Sequence, residues 1–180
     1  MRRRFDQDIN GTESGTERNL INILGTMKKK TKAENVAQVY DILNAAKYSK
    51  LNDDERIALW KITRAMKPIA LKLKDDIQDA AQHMKPSDDF DQRLATARQY
   101  EQAQRDGKEF DKLSKEDYDA FIQEWREYSK LVDTAVKEFA DEEVEIDITP
   151  ITEETLSRLM ASNPDWNMGK TITVSDMIVE

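Results

Sequence analysis

Residues 52–83 read NDDERIALWKITRAMKPIALKLKDDIQDAAQH, and the reading of this stretch decides the fold. Asn52-Asp53-Asp54-Glu55 sets a capping oxygen at the start and a carboxylate three residues on, with acids where the helix dipole favours them. Ile57, Leu59, Trp60, Ile62 and Met66 follow at helical spacing and are expected to be buried, and Ile69, Leu73, Ile77, Ala80 and Ala81 continue the pattern. Pro68 interrupts it, deleting a backbone donor and crowding the preceding turn. We expect a kink or short break there, or a single bent helix of about 30 residues. His83-Met84-Lys85-Pro86 closes the stretch.

The same punctuation recurs on either side. Upstream, Thr31-Lys32-Ala33-Glu34 has the form of a capping box. Val36, Val39, Tyr40, Leu43 and Ala46 make the stripe of the helix it opens, which should end near Tyr48-Ser49-Lys50. Downstream, Ser87-Asp88-Asp89 begins a helix reaching about Asp106, with a sparse face of Phe90, Leu94, Ala97 and Tyr100 that marks it as weakly buried. Gly107 ends it. Ser114-Lys115-Glu116-Asp117 starts a helix running to about Ala140. Its broad stripe of Tyr118, Phe121, Ile122, Trp125, Tyr128, Val132, Ala135, Val136 and Phe139 predicts the principal core helix. Trp60 and Trp125 read as core residues.

Only five glycines occur in 180 residues, and none falls between Gly25 and Gly107 or between Gly107 and Gly169. Long glycine-free stretches rich in helix formers predict helices with short connections, and they remove the loops on which phosphate sites are built. Hydrophobic residues make up 38% and charged residues 36%, which suits slender helices with narrow stripes. Cysteine is absent, so thiolate nucleophiles, disulfides and Cys-ligated metals are excluded. No run approaches the about 20 apolar residues of a membrane span, and the apolar stretch that a signal peptide needs after Arg2-Arg3-Arg4 is missing. A soluble protein of the host-cell cytoplasm or a virion is expected.

Beyond residue 140 the pattern changes. Val144-Glu145-Ile146-Asp147-Ile148 alternates as a half-buried strand does, and Pro150 stops it. Thr152-Glu153-Glu154 opens a short helix carrying Leu156, Leu159 and Met160, and Asn163-Pro164-Asp165-Trp166 is a turn. Residues 168–179 fit either strand or helix, with a short helix favoured. The expected architecture is mainly α. It has a flexible basic and polar leader over residues 1–30 and a helical bundle of four to five helices over 31–140. An acidic C-terminal α/β appendage over 141–180 holds a short strand and one or two short helices. Met27, followed by three lysines, reads as an alternative translation start.

Net charge is −8, spread as +4 over residues 1–50, −4 over 51–140 and −8 over 141–180. An acidic body disfavours nucleic acid, except through a basic arm of Arg2, Arg3, Arg4, Lys28, Lys29 and Lys30. His83 is the only histidine, near a helix end, and reads as a partly exposed polar residue. No G-x-S-x-G, P-loop or G-x-G-x-x-G motif is present, and Gly169-Lys170-Thr171 lacks the upstream glycine. Asp75, Asp76 and Asp79, like the acids at the helix starts, read as solvated faces and caps. No catalytic residue, cofactor or metal site is expected.

Two features point to binding. Glu143, Glu145 and Asp147 alternate with Ile146 and Ile148. The acids either guard an edge strand or steer a partner with a basic edge that pairs with it. Trp166 either docks the C-terminal segment or, with Ile146, Ile148 and Met177 as further apolar contacts, anchors a partner. The helix over 118–139 is broad enough to pack within the chain or against a second copy.

Three stretches carry a resemblance: Val39 to Tyr48, Arg64 to Ala70, and Ala161 to Trp166 with Asp176 to Val179. Together, over about residues 27–180, the chain resembles uncharacterised small helical proteins encoded by phages and mobile elements of gut bacteria. The resemblance brings no activity and implies only a context of phage assembly, structure or host interaction. The expected function is a non-enzymatic protein–protein interaction protein, such as an assembly chaperone, connector or minor virion protein. The rivals are an acidic inhibitor of a host defence protein that mimics nucleic acid, and a DNA-associated protein using the basic arm.

Overall fold

The structure, a computed structural model, describes residues 25–180, and the elements and counts given for the fold belong to this part of the chain. Strand β1 (Met27–Lys32) leads directly into helix α1 (Ala33–Ala45), and α2 (Asp53–His83), α3 (Phe90–Arg105) and α4 (Lys115–Asp141) follow. Strand β2 (Glu143–Ile148) and helices α5 (Glu153–Ser162) and α6 (Met168–Ile178) complete the chain, giving six helices and a two-stranded antiparallel sheet.

The caps at Asn52, Ser114 and Thr152 form as their sequences require, each side-chain oxygen accepting the backbone N–H three residues on. At Asn52 the box is reciprocal, because Glu55 accepts the Asn52 amide at 2.9 Å. The expected box at Thr31 does not form. Lys32 occupies the N-cap without a side-chain bond, and the Ala33 amide is satisfied by the Glu142 carbonyl at 2.9 Å. The sheet thus takes over what a cap would do, and the Thr31 hydroxyl accepts instead from Asn35. Gly107, at φ 66°, ends α3 in a Schellman motif, in which Lys108 N–H reaches the Ala103 carbonyl and Gly107 N–H that of Gln104.

Helix α2 runs unbroken through Pro68 for 31 residues, about 46 Å. Pro68 and Arg64 are both exposed, so the carbonyl that proline leaves without a partner lies on the solvent side. The buried residues of α2 are Leu59, Ile62, Met66, Ala70 and Leu73, one stripe against the main core. Six of the thirteen residues of α1 are buried beside it.

Residues 141–180 are not an appendage. Ile146, Ile148, Ile151, Leu156, Leu159, Val174, Met177 and Ile178 share one core with α1 and α2. Residues 27–30, assigned to the leader, are strand, because β2 supplies backbone partners from Met27↔Ile148 to Lys32↔Glu143. Residues 1–24 of the leader, Arg2–Arg4 included, lie outside the described residues. Asn163, at the end of α5, holds the α1–α2 connection to this core. Its side chain accepts the Lys47 amide at 2.8 Å and donates to the Lys47 and Leu159 carbonyls.

The expected dominance of α4 is reversed. Only Phe121 and Ala135 of its 27 residues are buried, and Trp125 is exposed. With α3 it forms a second, smaller core of Phe90, Ala97 and Phe121, bordered by Leu94, Leu113, Tyr118, Ile122 and Tyr128. Arg93 fastens this arm, donating to both Glu124 oxygens at 3.2 and 2.5 Å over the Phe121 ring. Tyr128 ties it back to α2 through the Ala81 carbonyl at 2.7 Å.

Candidate interaction surface

The residues expected to meet a partner are largely occupied within the chain. Ile146, Ile148 and Met177 are 3%, 2% and 4% exposed, so they are core and present no apolar surface. Strand alternation puts Ile146 and Ile148 on the inner face, and the helical period turns Met177 beneath α6. Trp166 is half-buried against the main core, its backbone N–H bonded to the Asn163 carbonyl, which is the docking alternative of its two readings.

Glu143, Glu145 and Asp147 do face solvent, but they lie directly opposite Lys32, Lys30 and Lys28. The acidic strand and the basic segment, read separately in the sequence as two binding elements, are each other's partner. Lys28 bonds Glu145 at 3.1 Å, and Lys32 bonds Asp141 at 2.5 Å. The Glu145 hydrogen bond, then the Glu145 and Asp147 charges, hold Lys28 above its ordinary 10.5. Asp141 acts on Lys32 in the same way and is itself held below 3.8. Lys29 points the other way, donating to the Asp176 and Met177 carbonyls at the end of α6, where a cation suits the helix dipole.

The exposed apolar surface lies instead on α2. Ile57, Trp60 and Leu71 are 51%, 57% and 41% exposed. With Arg64 and Pro68 they repeat the spacing of the buried stripe (Leu59, Ile62, Met66, Ala70, Leu73) shifted back by two residues. A two-residue shift is about 200° of helix, so the second stripe faces directly away from the core. Reading Ile57 and Trp60 as buried merged two faces of one helix. The signal was in the sequence, since two apolar sets at one spacing and opposite phase cannot both pack against one side.

The charge on this face is as unusual as its apolarity. From Arg56 to Lys74 the chain carries Arg56, Lys61, Arg64, Lys67, Lys72 and Lys74 and not one acid. Arg56 pairs with Asp53, Lys72 with Asp76 and Glu142, and Lys74 with Asp41. Lys61, Arg64 and Lys67 form no ion pair among the described residues and lie on the outer side with the stripe. The Arg64 guanidinium sits 5.3 Å from the centre of the Trp60 ring. At the start of the stripe, Ile57 and Lys61 wall a groove of about 550 Å³ whose far side is Gly25, Thr26, Asp147 and Ile148.

Other exposed apolar residues are less organised. Met168 and Ile172 make a two-residue patch on α6, and Trp125 and Leu131 lie on different sides of α4. Among the described residues no group of three or more His, Cys, Asp or Glu is placed to hold a metal, and no helix is long and apolar enough to cross a membrane. His83 is exposed, with Nδ1 2.8 Å from the Asp79 carbonyl oxygen. Comparison of the chain with family models, curated proteins and solved structures finds no match.

Proposed function

We propose that this chain is a non-enzymatic interaction protein that binds a protein partner through the outer face of α2. The supporting observation is the second stripe of α2, in which Ile57, Trp60 and Leu71 stay in water along one line while the same helix buries a complete stripe behind them. Single exposed apolar residues are ordinary, but an aligned set carrying a tryptophan and an arginine has the composition of an interface centre. A rigid helix fixed by a capping box and by the main core also presents such a set without an ordering cost at binding. Phage assembly, as chaperone, connector or minor virion protein, is the context that the resemblance implies. Lys28 and Lys32 are paired at the surface with Glu145 and Asp141, which lowers the charge that these lysines offer to DNA and these acids to a basic cleft.

The test is retention of a partner from phage-producing cells by the tagged full chain and by Trp60→Ala. Trp60 is more than half exposed, so the substitution should leave the helical circular dichroism and melting unchanged. A discrete protein held by the wild type should be lost from the variant, a truncation at an interface centre costing about 2 kcal/mol or more. Retention of the same proteins by both would contradict the proposal.

A further inference from the structure

We infer that the outer face of α2 receives an acidic amphipathic helix of the partner protein. Its apolar seam would lie on Ile57, Trp60 and Leu71, and its carboxylates would meet Lys61, Arg64 and Lys67. The inference rests on the proposed interaction face and adds the chemistry of its occupant.

Charge complementarity carries it. In a chain of net charge −8, the run from Arg56 to Lys74 holds six cations and no acid, and three of those cations have no ion-pair partner among the described residues. Along this face the order is Ile57, Trp60, Lys61, Arg64, Lys67, Leu71, so the unpaired cations hold the middle of the stripe and the apolar side chains its two ends. The face therefore offers a cationic centre between two apolar ends, the counterpart of a helix whose apolar seam is flanked by carboxylates. From Ile57 to Leu71 the stripe is about 21 Å long, the length of a four-turn helix.

Three other occupants fit less well. A second copy docked face to face about a twofold axis would set Lys61, Arg64 and Lys67 against the same cations with no acid between them. A DNA duplex or an anionic membrane extends past the patch. It would meet Asp54, unpaired among the described residues, at one end and Asp75 at the other, each within about 6 Å of the stripe along the helix axis and so felt over a Debye length of about 8 Å. Neither polyanion uses the aligned Ile57 and Leu71, whereas a helix of matching length covers the stripe and stops between the acidic ends.

The experiment titrates the full chain against a fluorescent synthetic helix of about 16 residues, with leucine at heptad spacing and glutamate on both flanks. The comparisons are the same peptide with lysine flanks, a short DNA duplex, and phosphatidylserine vesicles. The glutamate peptide should bind best, and Trp60→Ala should weaken it by about tenfold or more. Arg64→Glu with Lys67→Glu should weaken it by about 30-fold at low salt and transfer binding to the lysine peptide. That exchange of preference separates charge recognition from simple damage to the fold. Equal binding of the two peptides by the wild type would overturn the inference, as would tighter binding of the duplex or the vesicles. So would self-association abolished by Trp60→Ala, or peptide binding seen only after residues 1–24 are removed, which would assign the face to a second copy or to the chain's own N-terminal segment. Native-partner retention lost in Trp60→Ala but kept in the charge-reversed variant would overturn the acidic assignment alone. Retention kept in both would overturn the interaction face with it.

Discussion

At the scale of the residue, the account turns on neighbours that look alike in sequence. Leu59 and Trp60 are adjacent, large and apolar, yet Leu59 is fully buried and Trp60 is 57% exposed. Leu59→Ala should therefore destabilise the fold by about 3 kcal/mol in urea titrations, whereas Trp60→Ala should shift the midpoint little. A second residue-scale prediction concerns Tyr118, whose hydroxyl donates to Glu101 at 2.6 Å. That hydrogen bond to a carboxylate, more than burial, pushes the phenol up to about 12 from an ordinary 10.0. Because the folded value is the higher one, the contribution is whole below pH 10 and fades as pH rises through the folded value. Ultraviolet titration should show a late phenol near 12 that moves towards 10 in Glu101→Gln. A titration unchanged by that substitution would remove Glu101 as the cause.

At the scale of the element, local signals were legible and distant ones were not. The caps at Asn52, Ser114 and Thr152, the glycine stop at Gly107 and the alternation of β2 each depend on residues within one turn or one strand, and all are present in the structure. Strand β1 was illegible, because Met27-Lys28-Lys29-Lys30-Thr31-Lys32 has one strongly apolar residue and its ladder partner lies more than 100 residues away. Strand identity here comes from pairing and not from pattern. Thr31 misled for the same reason, since its capping role passes to a carbonyl from across the sheet. The ladder carries its own prediction. Lys28 and Lys32 are held above 10.5 in the folded chain, so their contribution is complete below that pH and is lost as pH rises through the folded values. Asp141 is held below 3.8, so its contribution is complete above that pH and is lost as pH falls through the folded value. Replacing both lysines with glutamine should lower the melting temperature at pH 7. That deficit should shrink above pH 10.5 and below pH 3.8, and shrink again in molar salt, because these pairs are exposed. A deficit independent of pH and salt would mean that the lysine stems matter and their charges do not.

At the scale of the whole molecule, the helical class could be read directly, but the position of the core could not. The broad stripe of α4 suggested a centre, yet α1, α2, the sheet, α5 and α6 enclose the main core, and α4 reaches its border only through Phe139 while closing a smaller core with α3. A stripe records which side of a helix prefers cover, not how much cover the rest of the chain supplies. The same ambiguity displaced the working surface. The segment after residue 140 drew attention because its pattern breaks from the helices, but that break reflects its place in the core and its pairing with the lysines of β1. What remains unpartnered on α2 is its outer stripe, legible in the sequence as a second apolar set of opposite phase, though which of the two sets is buried follows only from the fold.

The central claim is that this stripe is where the protein meets its partner, and site-specific photo-crosslinking tests it most directly. A photoreactive side chain placed at position 60 in the full chain should crosslink to one discrete protein in phage-producing cells. The same group at Gln123, exposed on α4, should not. No adduct at position 60, or the same adducts at both positions, would contradict the account.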